Sequence, residues 1–271
     1  MLGYHPILAT RADTGEVLHA RMCKGSANSA RGTKRFVEEL IARVRRAGAT
    51  GEIVVRFDSG YWSNETITTL GRLNVRYTMA VRTDNKGPAG ATAENAWVDI
   101  DHTDDGEAQV AETTYKGRRL IVRRTRLTDP HHAKLWPDWQ HFGFLTDLPG
   151  DATDLDAFHR EHAVVELAIR DLKEGAELEH IPSGHFFANG AWLCCAVLAH
   201  NLTRWSGTAS QPGPLDRLTV ARTVRALLIA IPGRLVNHAG TPTLRGPLNW
   251  PWRHWFSRRL EAIRLLQPQT G

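Results

Sequence analysis

The sequence has few cysteines and no long hydrophobic run, and both shortages narrow the class of protein. Its three cysteines, Cys23, Cys194 and Cys195, include no Cys-x-x-Cys spacing, which argues against a disulfide framework and against a zinc site. The longest uncharged apolar run, Ala191–Ala199, is far shorter than the ~20 residues of a membrane span. The first residues lack the basic region and small-residue cleavage site of a signal peptide. We therefore expect a cytoplasmic protein with no membrane segment.

Charge is distributed unevenly along the 271 residues. The chain has 34 basic and 29 acidic side chains, a net charge of +5. Residues 151–200 carry three basic and nine acidic side chains, whereas residues 201–271 carry ten basic and two acidic ones. Such a cationic C-terminal quarter favours a polyanion such as nucleic acid, although a solvated charged surface would also account for it.

Hydrophobic periodicity predicts an α/β protein in four segments. The first alternates strands and helices, the second is a β-rich insertion of short strands, the third carries two helices, and the last is basic and helical. The predicted segments are 1–83, 84–150, 151–206 and 207–271. The predicted strands and helices of the first segment are 4–10, 16–21, 33–47, 52–57, 63–73 and 75–81, and the later helices are 154–175, 189–205, 218–231 and 252–266.

The insertion contains a strongly basic strand. Residues 116–126 read KGRRLIVRRTR, and Trp136 and Trp139 follow shortly after. Arginines beside aromatic rings are typical of surfaces that hold a nucleic-acid strand, which makes Arg123 and Arg124 candidate DNA contacts. The alternative is an exposed edge strand that charge protects from aggregation.

Two carboxylates stand at positions that suit a metal site. Asp58 follows the apolar strand 52–57 at a glycine turn, where side chains at the end of a strand reach a ligand. Glu166 borders an apolar stripe in the middle of a helix, where a carboxylate is costly unless paired or metal-bound. Two such carboxylates suit divalent-metal phosphoryl transfer. For Glu166, a structural ion pair with Arg170 is an equally weighted alternative.

Cationic side chains surround Glu166 on the same predicted helix. His162, Glu166 and Arg170 follow one another at four-residue spacing, and His159 and Lys173 lie on neighbouring rows. A carboxylate flanked by such groups suits a phosphodiester substrate. His159 and His162 could instead bind zinc, but they form no His-Glu-x-x-His pattern.

Several segments together resemble the DDE transposases of bacterial insertion sequences, most closely the group called transposase DDE domain group 1. The resemblance covers residues 3–266. It rests on the strings GYHPILA, TGEVLHARMCKGSANSARG, VVRFDSGYWS, HREHAVVELAIRDLKEG and AWLCCAVLAHNLTRW. It implies an RNase H-like fold, in which helices flank a mixed sheet and a β-rich insertion precedes the last catalytic helix.

The resemblance also implies a site of three carboxylates and two Mg²⁺ or Mn²⁺ ions. Asp58 matches the second carboxylate of the family and Glu166 the third. In a signature of related transposases, Tyr-x-x-Arg-x-x-x-Glu-x-x-x-x-x-x-Lys, the last two positions hold Glu166 and Lys173. The Tyr and Arg positions hold His159 and His162, which can still donate hydrogen bonds to phosphate.

The first catalytic aspartate of the family has no match. The family places it on a central strand ahead of the first hairpin, and Asp13 lies instead in the hairpin tip. We therefore expect an N-terminally truncated transposase with its first strand missing, weak metal binding and no strand transfer by this chain alone. The alternatives are a catalytically inactive relic that at most binds DNA, and a structure-specific nuclease on the same fold.

The predicted function is metal-dependent cleavage and transfer of DNA strands at insertion-sequence ends. The expected partner is double-stranded DNA, both the element ends and the target, with a homodimer on DNA as one candidate assembly and the nucleoid as the expected location. Asp58 and Glu166 are the predicted catalytic and metal-binding residues. The predicted DNA contacts are Lys173, Arg170, His162, His159, Arg123 and Arg124.

Overall fold

A computed structural model describes residues 4–25, 32–81, 92–102, 106–127, 139–161, 163–208 and 220–266. The chain divides into two compact units. The first, here called the helical unit, comprises residues 1–25 and 164–271, and the second, the sheet unit, comprises residues 26–163.

The described residues contain ten strands and seven α-helices. The strands are β1 (Tyr4–Thr10), β2 (Val17–Lys24), β3 (Val54–Phe57), β4 (Arg76–Val81), β5 (Val98–Ile100), β6 (Gly106–Tyr115), β7 (Arg118–Leu127), β8 (Gln140–Thr146), β9 (Arg234–His238) and β10 (Thr241–Arg245). The helices are α1 (Thr33–Arg46), α2 (Asn64–Arg72), α3 (Ala152–Arg160), α4 (Ala163–Gly175), α5 (Phe186–Thr208), α6 (Ala221–Val224) and α7 (Arg253–Leu265).

The sheet unit is built on six strands in the order β3-β4-β8-β7-β6-β5. Strands β3 and β4 run parallel, and the other pairs are antiparallel. One side of the sheet carries a buried cluster whose members come from three strands and α3: Val110, Ile121, Phe144 and Leu155. Helix α1 buries its apolar stripe through Phe36, Val37, Leu40 and Ile41, as the helical spacing predicts. The predicted mixed α/β class, a sheet flanked by helices, is therefore confirmed.

The helical unit packs the β1–β2 hairpin against α5. Its core consists of Val17, Leu172, Leu178, Leu193 and Ala196. The side-chain amide of Asn201 on α5 also accepts a hydrogen bond from the Val17 N–H at 2.8 Å and donates one to the Val17 carbonyl at 2.9 Å. An asparagine thus gives β2 the two hydrogen bonds that a neighbouring strand would provide.

The structure differs from the predicted elements at three places. The predicted helix over 154–175 is divided, since α3 ends at Arg160 and α4 begins at Ala163, and each packs its buried side chains within its own unit. The C-terminal segment is not entirely helical, because β9 and β10 form an antiparallel ribbon. Strand β7 lies between β6 and β8, so the edge-strand interpretation of the basic segment was wrong.

All three cysteines are free. Among the described residues, no helix combines the length and the apolar character that crossing a membrane requires.

Candidate functional site

Asp58 lies directly after β3 and is exposed. Its Oδ1 accepts a hydrogen bond from the Ser59 amide at 2.6 Å, which caps the short 3₁₀ turn Ser59–Tyr61. Because β3 and β4 are parallel, Asp58 stands at the carboxyl end of a parallel pair, the edge at which open α/β sheets bind ligands. Among the described residues, its second oxygen, Oδ2, has no hydrogen-bond partner and is available to a ligand.

The C-terminal end of α3 contacts strand β3 close to Asp58, and both elements belong to the sheet unit. Two residues before Asp58, the Arg56 guanidinium lies 4.0 Å from the centre of the Phe158 ring and donates to a Glu161 carboxylate oxygen at 3.0 Å. A cation over an aromatic face and a charge-assisted hydrogen bond both fix the arginine. This part of the sheet edge is therefore ordered by contacts from α3.

His159 is packed against the sheet. Its Nδ1 lies 2.7 Å from the Thr78 hydroxyl, and its ring stacks on Phe144 with the ring centres 4.2 Å apart. Since Thr78 is fully buried, this arrangement resembles a packed core histidine more than an open phosphate contact. The DNA-binding role of His159 stays a prediction. His162, its predicted partner in phosphate or zinc binding, lies outside the described residues.

Helix α4 exposes three of the predicted site residues on one face. Glu166, Arg170 and Lys173 are all exposed and follow one another at intervals of four and three residues. The sequence analysis placed Glu166 at the border of the apolar stripe of its helix, which was wrong. The buried residues are Ala168 and Leu172, and Glu166 lies on the exposed face of α4. Within the described residues, Glu166 has no ion pair, so the alternative pairing with Arg170 is not formed.

Asp58 belongs to the sheet unit and Glu166 to the helical unit. The predicted proximity of their carboxylates therefore stays a prediction.

The carboxylate that the structure buries in α4 is Asp171, which the sequence analysis missed. Asp171 is 2% exposed, and its Oδ1 accepts a hydrogen bond from the Ala221 amide at 2.6 Å. Its Oδ2 lies 3.0 Å from Nδ1 of the buried His200 and 3.6 Å from Arg204. The position of Asp171 beside Leu172, within the apolar stripe of α4, was the available signal in the sequence.

This buried group joins four elements of the helical unit. His200 directs its Nε2 to the Gly15 carbonyl at 3.0 Å, so the hairpin tip, α4, α5 and the start of α6 meet around it. Burial alone would raise the pKa of Asp171, but the adjacent His200 ring, the hydrogen bond from the Ala221 amide and the charge of Arg204 hold it below its ordinary value. Asp171 therefore remains a carboxylate and fixes the helix that carries Glu166 and Lys173.

Arg124, a predicted DNA contact, is only 7% exposed. Its guanidinium lies 4.1 Å from the centre of the Trp97 ring and 4.5 Å from that of Trp139. Two nitrogens donate to the two Glu94 oxygens at 3.0 and 2.8 Å, and Nε donates to Gln109 at 2.7 Å. Partners inside the insertion thus occupy this arginine. Trp136, which the sequence placed beside it, lies outside the described residues.

Arg123 lies on the opposite face of β7 from Arg124 and faces α3. Burial lowers the pKa of its guanidinium, an effect that the charge of Asp156 partly offsets. Asp156 is itself 3% exposed and accepts a hydrogen bond from Arg160 at 2.9 Å. The two adjacent arginines of β7 therefore face two different internal environments.

The C-terminal arginines have a different environment. Within residues 220–266 the described acidic residue is Glu261, whereas the arginines number eight. Five of these are exposed and have no ion pair within the described residues: Arg222, Arg234, Arg245, Arg253 and Arg264. These exposed cations agree with the excess of positive charge in the C-terminal part of the sequence.

The donor chemistry of the two predicted ligands fits a divalent cation. Mg²⁺ prefers carboxylate oxygens, and Asp58 and Glu166 both expose theirs. Within the described part of the chain, no group of three or more His, Cys, Asp or Glu side chains converges as a metal site. Each carboxylate therefore fits a metal ligand individually, and their convergence stays a prediction.

Comparison with known proteins identifies one family. The model of the family described as transposase DDE domain group 1 matches residues 1–268. No curated protein matches the chain. The family match covers both compact units and contains Asp58 and Glu166.

Proposed function

The chain belongs to the transposase DDE domain group 1 family, whose members carry out DNA transposition with divalent metal ions, and on that premise we propose a reaction and a site for it. The proposed reaction is cleavage of DNA strands at the ends of an insertion sequence, followed by their transfer to target DNA. Asp58 and Glu166 are the proposed metal ligands. The sheet unit, with its parallel pair and flanking helices, is the proposed core of an RNase H-like fold.

The observation that carries this proposal is the placement of Asp58. It stands exposed at the carboxyl end of the β3–β4 pair with one carboxylate oxygen held by the Ser59 amide. The hydrogen bond fixes the side chain and leaves Oδ2 for a cation. A carboxylate in this position on a mixed sheet is what the family requires of its second acidic residue.

Glu166 is the proposed second ligand, and chain connectivity supports it. Glu161 contacts Arg56, two residues from Asp58, and Glu166 follows Glu161 by five residues. Five residues span at most about 18 Å between Cα atoms, which keeps Glu166 within a limited reach of Glu161. The same exposed face of α4 carries Arg170 and Lys173 as proposed phosphate contacts.

Each residue then has a proposed task. Two bound Mg²⁺ or Mn²⁺ ions would supply activation of the attacking oxygen and stabilisation of the leaving oxygen. Asp58 and Glu166 hold the ions. Lys173, Arg170 and His162 orient the phosphodiester, and the exposed C-terminal arginines hold the DNA backbone. For His159, Arg123 and Arg124, the internal partners described above favour a packing role.

The proposal is tested by nicking of supercoiled plasmid DNA with Mg²⁺ and with Mn²⁺. Asp58→Asn and Glu166→Gln should each lower the nicking rate at least about a hundredfold, since a small misplacement of reacting groups has that effect. Asp154→Asn, which changes an exposed carboxylate of α3, is the matched control and should nick as the parent does. Mn²⁺ binding followed by electron paramagnetic resonance should weaken in the first two variants alone. Unchanged nicking by both would refute the site.

A second candidate function, DNA binding without turnover, is favoured by a specific observation. The family uses three carboxylates, and the acidic residues of the first hairpin are engaged elsewhere. Asp13 lies 2.7 Å from Arg11, and Glu16 contacts Arg11 at 3.7 Å and Thr14. The nicking experiment decides between the two functions, because this candidate binds duplex DNA and leaves the plasmid intact with either metal.

A further inference from the structure

The β9–β10 ribbon in the C-terminal segment exposes both of its faces. Leu235 and Leu244 pair across the two strands and are 73% and 71% exposed. Every described residue of β10 is exposed as well. A two-stranded ribbon with no buried face is marginally stable alone, so this geometry suits an element that acts by contacting a partner.

The two faces of the ribbon differ in chemistry. Side chains alternate across a strand, so Leu235 and Leu244 share one face, and Arg234, Val236, Thr243 and Arg245 share the other. At the open end of the second face, Arg234 and Arg245 are direct cross-strand partners. Like charges at that spacing repel each other. Neither has an acidic partner among the described residues, so an anion placed between them would relieve the repulsion.

The shape and the charge together identify the anion. The tip closes through two consecutive left-handed residues, Ala239 at φ 51° and Gly240 at φ 84°, the conformation of a tight two-residue hairpin turn. The ribbon is therefore narrow up to its tip. The major groove of B-form DNA admits a two-stranded β-ribbon, and phosphates line both of its rims. Arginine matches the geometry of phosphate oxygens.

We propose that the β9–β10 ribbon enters the major groove of duplex DNA with its arginine face inward, and that Arg234 and Arg245 grip backbone phosphates at the rim. Val236 and Thr243 then face the base edges. This inference rests on the proposed function, since it assigns the DNA partner of that function to one element. The ribbon positions the duplex through phosphate contacts.

The test compares the full chain with the Arg234→Ala/Arg245→Ala double variant. The probe is a 20-bp duplex enriched from a random pool by binding to the parent protein, and binding is followed by fluorescence anisotropy over a series of salt concentrations. Loss of two phosphate contacts should reduce the slope of log affinity against log salt by about 1.8. The parent should also protect guanine N7, a major-groove atom, from dimethyl sulfate, and the double variant should not.

The matched control removes the same charge elsewhere. Arg35 pairs with Glu39 at 2.8 Å and Arg72 pairs with Glu38, so Arg35→Ala/Arg72→Ala removes two arginines that internal acids already satisfy. This control should keep the salt slope and the N7 protection. The ribbon variant should melt at the same temperature as the parent or higher, because it loses a repulsive pair.

Three results would overturn the inference. If the parent binds the duplex and the ribbon variant keeps its slope and N7 protection, the ribbon is not the contact, and the proposed function stands. If the parent does not bind duplex DNA at all, the proposed function fails as well. If Leu235→Ser/Leu244→Ser dissociates a dimer while the arginine variant binds DNA normally, the occupant is a second copy of the chain.

Discussion

Two arginine-rich regions, strand β7 of the insertion and the C-terminal segment 220–266, use the same side chain in opposite ways. In β7, Arg124 is enclosed by two tryptophans and a bidentate glutamate, and Arg119 and Arg126 pair with Glu112 and Glu107. In the C-terminal segment, Arg234, Arg245, Arg253 and Arg264 are exposed without an ion pair among the described residues. Density of positive charge alone therefore does not identify a DNA-binding surface.

The residues opposite each arginine on the adjacent strand account for the difference between these two regions. Strand β6 pairs with β7 in a register that places Glu107 opposite Arg126, which provides a local acid for the arginine. In the ribbon, the residue opposite Arg234 is another arginine. A cation with an acid in register stabilises the fold, whereas one without an acid remains available to an external anion.

The largest expected effect concerns Arg204 on α5, which lies outside the C-terminal segment and has Asp171 as a buried acidic partner. Asp171→Ala would leave His200 and Arg204 buried without that acid, and we expect the free energy of unfolding to fall by roughly 3–4 kcal/mol. Urea denaturation measures this change in the free energy of unfolding. Asp154→Ala, an exposed control, should change it by less than about 0.5 kcal/mol. A loss as small as that for Asp171→Ala would show that the buried acid does not hold the helical unit together.

The next largest effect on stability is expected for Arg124, the arginine enclosed in the insertion. Arg124→Ala should lower the free energy of unfolding by roughly 2 kcal/mol, because it removes two ring contacts and a bidentate hydrogen bond. Arg124→Lys should be nearly as destabilising, since an ammonium can neither stack nor donate in a fork. Full stability of the lysine variant in thermal melting would mean that charge alone accounts for the position and would weaken the contrast with the C-terminal arginines.

A smaller, pH-dependent effect separates the two buried aspartates. Because the pKa of Asp171 is lowered in the folded state, its stabilising contribution is present above the ordinary value of about 3.9 and is lost as pH falls through the folded pKa. Burial raises the pKa of Asp156, despite the opposing charges of Arg160 and Arg123, so its charged form costs stability as pH rises through that pKa.

Asp156→Asn should therefore be as stable as the parent or more stable at pH 7, whereas Asp171→Asn should be less stable. Denaturation midpoints at pH 3, 4, 5 and 7 check both signs. Midpoints that shift in the same direction for the two variants at pH 7 would contradict the assigned environments.

The smallest effect on stability is expected for an exposed C-terminal arginine. Arg264→Ala should change the free energy of unfolding by less than about 0.5 kcal/mol and should lower the salt slope of duplex binding by about 0.9, the value for one phosphate contact. Arg35→Ala is the single-charge control and should leave the slope unchanged. A slope equal to the parent's in Arg264→Ala would restrict the DNA surface to other parts of the segment.

The local elements were predicted well because their signals are local. The hairpin tip at Asp13, the apolar stripe of α1 and the end of β3 before Asp58 follow from residue type and period. The β9–β10 ribbon was missed because two five-residue strands give little periodicity, and Ala239 at the tip is not a typical turn residue. The division of the predicted helix between Arg160 and Ala163 was missed because its apolar pattern continues across the break.

The sequence by itself determined the class of fold, the family and the position of Asp58 at a strand end, since period and motif lie in adjacent residues. Only the tertiary structure decided which charged side chains have an internal partner of opposite charge. Asp171 meets His200 and Arg204, which follow it by about thirty residues, and Arg124 meets Glu94 thirty residues before it. No local pattern encodes such pairings, because burial and partner depend on which distant segments pack together, and that packing separates arginines with internal partners from those available to an external anion.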